Sequence, residues 1–336
     1  MNHVLSLMLA LTASLVALVT FAADGTDANR LTEKLQAVKA DLASQEHHLR
    51  YKFASGEQVR WKAVHLVTFE TKIQGNTQTA KSRSVSTKAW KISSVDDRGN
   101  ITFAHVVESV DMWQHVSGRP EVSYNSEMDK QAPQAYEHVA KSIGVPLVTV
   151  TMDPYGKILR RHEEKTQFSP WVGELTIPLP AHPVKVGDQW SVPEELTIRL
   201  QDGIVKRVKT RQLYTLTKVE TGVATIVVET QVLTPVDDPK LKSQLVQRLT
   251  RGTVKFDIDS GRLLSKQLDL DETVIGFNGA ESIMQYLARF TEESLPDDSG
   301  AGQSGESNNG FSESPANSST LDFYRASRDD RPVLRR

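Results

Sequence analysis

The residue types that carry most enzyme chemistry are absent from this chain or wrongly spaced. The 336 residues include no cysteine, which excludes disulfides, thiolate metal sites, iron–sulfur clusters and cysteine nucleophiles. His162-Glu163-Glu164 lacks the second histidine of a zinc-protease motif, and no Gly-x-Ser-x-Gly elbow, phosphate-binding loop or dinucleotide motif occurs. We therefore predict a non-enzymatic protein without cofactor or metal. A hydrolase with a scattered, unrecognised site ranks third, after the binding and scaffold hypotheses given below, because the residues of a catalytic triad need not be close in sequence.

The acidic residues also form no convincing catalytic pair. Asp96-Asp97, Asp237-Asp238 and Asp297-Asp298 are neighbours in predicted turns or in the C-terminal tail, where acidic side chains usually cap backbone amides. Residues 257–261, DIDSG, resemble the start of a calcium loop but lack its later ligands. We expect these acids to be turn residues.

The charge balance argues against a nucleic-acid partner. Lys plus Arg total 40 and Asp plus Glu total 42, so the net charge is −2, without the basic excess of a nucleic-acid binder. The basic residues cluster once, at Lys206, Arg207, Lys209 and Arg211. We interpret that cluster as the solvated face of a strand that protects a sheet edge, and binding of an anionic group is the alternative.

Both ends of the chain differ from its middle. Residues 4–22 are mostly apolar, carry no charge and end at Ala22, which predicts a signal peptide over 1–22 and export to the periplasm or the extracellular space. The alternative is an uncleaved N-terminal membrane anchor. Residues 296–336 are rich in Ser, Gly, Asn and Asp, which predicts a disordered tail, with a short docking motif at its end as the alternative.

The elements between these ends are mostly strands. Leu31, Leu35, Val38 and Leu42 are spaced for one face of an amphipathic helix over 26–45. From residue 48 onward, apolar and polar side chains alternate with the period of antiparallel strands. The strand that begins near Val59 is unusually long, which indicates a strongly curved sheet with the helix lying on it.

Three segments recur in the same order in two halves of the chain. The matching pairs are GEQVRW (56–61) with GDQWSV (187–192), residues 88–110 with 211–233, and residues 150–161 with 254–266. We predict a duplication with a first β-rich half (46–168), a proline-rich connector (169–188) and a second β-rich half (189–295). The predicted fold class is mainly β: a duplicated, strongly curved, half-barrel-like antiparallel sheet with an N-terminal amphipathic helix and few short helices.

The connector carries the motif P-x-x-P-V-x-x-G-D-x-W. Its residues are Pro180, Pro183, Val184, Gly187, Asp188 and Trp190. With LRYKF at 49–53 and DPYGK at 153–157, this motif resembles a family of uncharacterised exported bacterial domains over most of 45–292. The resemblance implies a fold and no activity. More loosely, a helix on a curved sheet is similar in architecture to periplasmic lipoprotein-carrier half-barrels.

The one-sided strands lead to a binding hypothesis. A concave apolar face would bind a lipid, another apolar small molecule or an envelope protein. Its predicted lining is Trp61, His65, Val67, Phe69, Met284, Tyr286 and Phe290. The alternative is a structural or interaction scaffold whose face is filled by its own side chains, because most apolar faces are core. For His65, a buried core histidine is favoured over a ligand or general base.

Overall fold

Alternating apolar and polar side chains build the strands of one antiparallel sheet. The computed structural model describes residues 44–163, 175–199 and 205–296, together with Glu33. The strands, in chain order, are β1 (Gln58–Ile73), β2 (Asn76–Val95), β3 (Ile101–Val116), β4 (Val122–Asn125), β5 (Pro146–Met152), β6 (Ile158–Glu163), β7 (Gln189–Arg199), β8 (Val205–Glu220), β9 (Val223–Val232), β10 (Arg251–Asp257), β11 (Arg262–Ile275) and β12 (Ile283–Ser294). The sheet formed by these strands is not closed, and the predicted mainly β, antiparallel fold is confirmed.

The order of the strands repeats in the two halves of the sheet. Across the sheet it is β6-β5-β3-β2-β1-β12-β11-β10-β9-β8-β7, with β4 paired to β3. Strands β1, β2, β3, β5 and β6 therefore pair in the same succession as β7, β8, β9, β10 and β11. Each half also inserts a short helix before its fourth paired strand: α1 (Glu137–Ser142) precedes β5, and α2 (Pro239–Leu245) precedes β10. Strand β12 lies between the halves and pairs with β1 and β11.

One aromatic ring shows how strongly the sheet curves. The ring of Tyr51 lies 6.5 Å from that of Trp90 on β2 and 5.4 Å from that of Phe256 on β10. Three strands separate β2 from β10, so the two would be about 19 Å apart in a flat sheet at ~4.8 Å per strand. The sheet must therefore curl around Tyr51. We call the concave side, which carries Trp90 and Phe256, the inner face.

The segment before β1 fills one end of this concavity, and it differs from the prediction. Residues 48–53 form no strand, although their polar and apolar residues alternate. Leu49 and Tyr51 are buried in the core, and the Tyr51 amide donates to the carbonyl of Pro154 at 2.7 Å. The alternation here arises because one side of an irregular segment faces the core, and it does not indicate a strand. The Tyr51 hydroxyl also accepts from the amide of Ile177 at 3.0 Å and so ties the connector to the core.

The connector motif is structural, as the resemblance implies. Val184 is buried and pairs with His47 in an isolated bridge. Asp188 accepts a hydrogen bond from the Lys185 amide at 2.8 Å, and Gly187 has a positive φ of 100° in the same turn. The Trp190 indole donates to the Pro178 carbonyl at 2.8 Å. These contacts fix the course of the connector.

Two short helical segments cover the flanks of the inner face. Helix α1 and the preceding 3-10 turn (Gln134–Tyr136) pack on β3 and β4 through an apolar cluster that includes Val110, Tyr124 and Val139. Helix α2 is capped by Asp238, which accepts from the Lys240 amide. It continues into a 3-10 turn (Val246–Arg248) and packs toward β8 and β11.

Several predicted segments lie outside the described residues. They are the signal peptide (1–22), all of the helix over 26–45 except Glu33, Ser44 and Gln45, residues 164–174 around the start of the connector, residues 200–204, and the tail after Pro296. The helices of the part that is described are all too short to cross a membrane.

Candidate functional site

The seven residues predicted to line a concave face all lie on the inner face. Residues directly opposite in an antiparallel ladder point to the same side of the sheet. His65 lies opposite Phe290, and Phe69 lies opposite Tyr286. The other three follow the same alternation: Trp61 and Val67 on β1, and Met284 on β12, which lies opposite Thr71. One side of the two central strands thus carries the predicted set.

These residues do not form one lining. Trp61 is buried in the main core, where its indole donates to the Leu263 carbonyl at 3.1 Å. Phe69 and Met284 belong to a second apolar cluster beside the 3-10 turn. Val67 is half-buried opposite Ala288. Three of the predicted residues line an actual hollow, and these are His65, Tyr286 and Phe290.

The hollow is a mostly apolar cavity on the inner face. Its volume is about 220 Å³, and it lies between the central strands and the segment that follows α2. The residues that line it are His65, Gln247, Thr250, Leu268, Asp269, Leu270, Tyr286, Ala288 and Phe290. This volume is below the ~300–1,000 Å³ of drug-sized ligand sites. The cavity itself can therefore hold one segment of a slender ligand.

A cluster of buried charged residues lies next to this cavity. We call it the charged cluster and define it as Lys88, Lys266, Glu292 and His105. The Glu292 carboxylate pairs with Lys266 Nζ at 2.9 Å and with Lys88 Nζ at 3.8 Å. The exposed fraction of the side chain is 15% for Lys88, 11% for Glu292 and 5% for Lys266. Two ammonium groups thus share one carboxylate in a desolvated place.

The aromatic ring of Phe290 joins the charged cluster to the cavity. Lys88 Nζ lies 5.0 Å and Lys266 Nζ 5.1 Å from the ring centroid, within the range of cation–π attraction. The same ring lines the cavity and lies 6.2 Å from the ring of His65. The positive charges therefore stand at one end of the hollow.

Burial perturbs the acid–base behaviour of the charged cluster. It lowers the pKa of Lys88, with Glu292 opposing this effect and Lys266 adding to it. Burial would raise the pKa of Glu292, but the attraction of Lys266 and Lys88 outweighs it, so the pKa of Glu292 is lowered. Burial and the nearby charge of Lys88 also lower the pKa of His65. Glu292 is consequently ionised at neutral pH, and His65 is uncharged there.

His105 is the most unusual member of the charged cluster. Its exposed fraction is 1%, and neither ring nitrogen has a hydrogen-bond partner among the described residues. Burial, reinforced by the charge of Lys88, lowers its pKa to about 3. A neutral imidazole offers one donor and one acceptor. The donor and the acceptor of the imidazole are therefore both removed from water without forming a hydrogen bond. One such unsatisfied group normally lowers the free energy of unfolding by about 1–3 kcal/mol.

The second half of the sheet shows that the fold does not require a histidine at this position. His105 on β3 lies opposite Trp90 on β2. At the equivalent place in the other half, Val228 on β9 lies opposite Tyr214 on β8. Both His105 and Val228 are buried. An apolar side chain suffices in one half, so the imidazole in the other half needs a separate explanation.

Other candidates from the sequence have structural roles. Asp257 accepts hydrogen bonds from the amides of Asp259 and Ser260, and Asp96 accepts from Arg98 and Asn100, as expected of turn acids. The side chains of Lys206, Arg207 and Lys209 are exposed, as the solvated-face interpretation predicts. The fourth residue, Arg211, is half-buried, and its Nε donates to Gln231 Oε1 at 2.8 Å. Within the described residues, no group of three or more His, Asp or Glu side chains is arranged to hold a metal ion.

Sequence reasoning missed the charged cluster. Lys88, His105, Lys266 and Glu292 lie on four different strands, and only the strand pairing brings them together. A weak signal was available, because Lys88 stands two residues before Trp90 and so shares its buried face. Charged residues are usually exposed, which favours assigning such a lysine to the solvated side.

Part of the chain matches a known sequence family. Residues 164–263 match the model of a family of unknown function, DUF6263. This segment is less than half of the chain, and it includes the whole connector (169–188) and strands β7 to β10. No curated protein matches the chain.

Solved structures give only distant likenesses. Lipovitellin, in a structure concerned with its lipid–protein interactions, is 12% identical with a TM-score of 0.42, and the match covers 76% of this chain and 27% of lipovitellin. The translocator domain of the autotransporter NalP from Neisseria meningitidis is 6% identical with a TM-score of 0.26, covering 80% of this chain and 95% of the domain. The Salmonella secretin InvG is 7% identical with a TM-score of 0.18, covering 89% and 71%. At these scores the likenesses do not define a shared fold.

Proposed function

We propose that this protein is an exported, non-enzymatic protein that binds a slender apolar ligand on the inner face of its sheet. The observation that carries the proposal is the cavity of about 220 Å³ lined by His65, Tyr286 and Phe290. The hollow is partly open to solvent and its lining is mostly apolar, so it exposes apolar surface that a ligand segment can cover. A ligand segment that fills it would remove apolar surface from water.

The small side chains of β2 supply room beside the cavity. The inner-face positions Ala80, Ser82, Ser84 and Ser86 lie opposite β1 residues from Phe69 to Ala63. None of these four is bulky, and all are only partly buried. These four residues form a strip on the face that His65 and Phe69 share, and Ser84 lies opposite His65, which lines the cavity. A ligand longer than the cavity would extend along the strip.

A fluorescent apolar probe tests this proposal. N-phenyl-1-naphthylamine should brighten on binding to the wild-type protein and be displaced by dodecanol. Ala288→Phe places a ring in the cavity and should weaken probe binding at least tenfold. Leu287→Phe is the matched control, because Leu287 is the neighbouring residue on β12 and points to the opposite face. Absence of probe binding to wild-type protein, or equal binding by both variants, would overturn the proposal.

A scaffold that binds an envelope protein is the second candidate. The observation in its favour is the main core, where Tyr51, Trp61, Phe103, Tyr214 and Phe256 fill one end of the concavity. On that reading the small cavity would be a packing defect. The probe experiment separates the two candidates, because a scaffold has no reason to discriminate between the two phenylalanine variants.

A further inference from the structure

We propose that the charged cluster binds the carboxylate of an amphiphile whose hydrocarbon chain enters the cavity. This inference rests on the proposed function and adds the chemical class of the ligand. The carboxylate would accept hydrogen bonds from Lys88 Nζ and from the N–H of His105. The chain would pass the ring of Phe290 into the hollow.

The first step of the argument is the charge of the cluster. When both lysines are protonated, Lys88 and Lys266 contribute two positive charges and Glu292 one negative charge, so these three side chains carry a net charge of +1. Glu292 is nearer to Lys266 than to Lys88 by 0.9 Å, from 2.9 and 3.8 Å. Lys88 is therefore the less compensated ammonium group. A buried charge of this kind is costly unless an opposite charge lies beside it.

His105 gives a second, independent reason to expect a polar ligand group. Its ring is buried on the inner face, and His105 lies opposite Trp90, two residues along β2 from Lys88 on the same face. Both of its nitrogens lack a partner among the described residues, whereas the equivalent Val228 needs none. A carboxylate oxygen beside Lys88 would accept a hydrogen bond from the imidazole N–H, and so one of the two ring nitrogens of His105 would gain a partner.

Lys88 also has the position that an entering ligand requires. Its side chain is the most exposed of the two lysines and Glu292. On β2 it follows Ser84 and Ser86, whose short side chains leave space over the strand. Its ammonium group lies over the ring of Phe290, which lines the cavity. A headgroup at Lys88 and a chain in the cavity would therefore both contact the ring of Phe290.

The net charge selects a monoanion. One carboxylate neutralises the excess positive charge of the three side chains, whereas a phosphate dianion would leave an excess of negative charge. Arg161 on β6 adds positive potential at His105, but its side chain is exposed and solvated. A single carboxylate on a hydrocarbon chain fits both the charge and the adjoining apolar cavity.

Calorimetric titration of the full chain at pH 7.5 with matched twelve-carbon ligands tests the inference. Dodecanoate should bind at least tenfold more tightly than dodecanol, because a hydrogen bond to a charged group is stronger than one between neutral groups. Acetate should bind at least a hundredfold more weakly than dodecanoate, since it lacks the chain. Dodecyl phosphate should bind more weakly than dodecanoate.

The variants localise the preference for the carboxylate. Lys88→Met should reduce the affinity for dodecanoate about tenfold and leave the affinity for dodecanol unchanged, which also shows that the variant is folded. Lys62→Met, on the exposed outer side of β1, should change neither affinity.

The possible results separate the two proposals. Equal binding of dodecanoate and dodecanol by wild-type protein would overturn the carboxylate site and leave the proposed function standing. Binding of neither ligand would overturn both. A preference for dodecanoate that survives Lys88→Met would place the carboxylate elsewhere and would also overturn this inference, as would tighter binding of dodecyl phosphate.

Discussion

Replacing Glu292 should destabilise the fold far more than replacing the lysine beside it. Glu292→Gln keeps the shape of the side chain but leaves Lys88 and Lys266 without their shared carboxylate. With an effective dielectric constant of about 20, the attraction lost is about 6 kcal/mol at 2.9 Å and about 4 kcal/mol at 3.8 Å, before desolvation is counted. Removing one partner of a buried ion pair typically costs about 3–5 kcal/mol, and we expect a loss in that range.

Lys88→Met, in contrast, should change the stability of the fold only slightly. It removes a buried ammonium group that is repelled by Lys266, and it leaves Lys266 and Glu292 as a balanced pair. The free energy of unfolding should fall by less than about 1 kcal/mol, or rise, because apolar replacements of buried charges are often neutral or stabilising.

Urea denaturation followed by circular dichroism measures both effects. Glu293→Gln is the matched control, because Glu293 adjoins Glu292 on β12 and is exposed on the other face. It should change the free energy of unfolding by less than about 0.5 kcal/mol. The reasoning is refuted if Glu292→Gln behaves like this control, or if Lys88→Met destabilises the protein as much as Glu292→Gln does.

Three further predictions concern pH, packing and processing. The pKa of His105 is about 3 in the folded chain and 6.5 ordinarily, so between these pH values the unfolded chain binds a proton that the folded chain excludes. The free energy of unfolding should therefore fall by up to about 1.4 kcal/mol per pH unit as the pH drops from 6.5 toward 3. His105→Phe should reduce this slope in urea titrations, and an unchanged slope would contradict the low pKa of His105. Gly252→Ala would place its Cβ 1.9 Å from the Gln267 carbonyl oxygen, so it should lower the free energy of unfolding by about 1–3 kcal/mol. Thr253→Ala, the control, should lower it less. Equal thermal midpoints for the two variants would contradict the register of β10 with β11. Protein isolated from its native host should have the mass of a chain that starts at Ala23, and a mass that includes residues 1–22 would favour the membrane anchor.

The fold was largely predictable from the sequence because its strands bury one side. Strand β1 shows a regular alternation from Val59 to Phe69, and the observed strand has nearly the predicted bounds. The first half of β2 has a weaker signal in the sequence, since residues 76–87 carry small or polar side chains on both faces, with Val85 as the exception. Segment 48–53 was assigned wrongly, because alternation reports which side is buried and not whether a ladder partner exists.

The candidate site was predictable only in its apolar part. His65, Tyr286 and Phe290 follow from alternation within single strands. The contact of Lys88 with Glu292 joins residues 204 positions apart, and it depends on the insertion of β12 beside β1, which no local pattern specifies. The unpartnered nitrogens of His105 are likewise a property of tertiary packing. Sequence periodicity gives the face of a residue, and only the strand order gives its neighbours.

The placement of β12 has a consequence for how this protein acquires its structure. The strand joins residues as distant as Trp61 and Ser294, so one of its two ladders closes a loop of more than two hundred residues. Ladders of such long range form slowly, because the entropy of closing the loop is lost before the contacts stabilise it. Until then β1 and β11 present unpaired backbone groups, which are templates for association with other chains. A molecule interrupted before Ile283 would keep both edges open, and we expect the nascent chain to depend on a holding chaperone until this last strand docks.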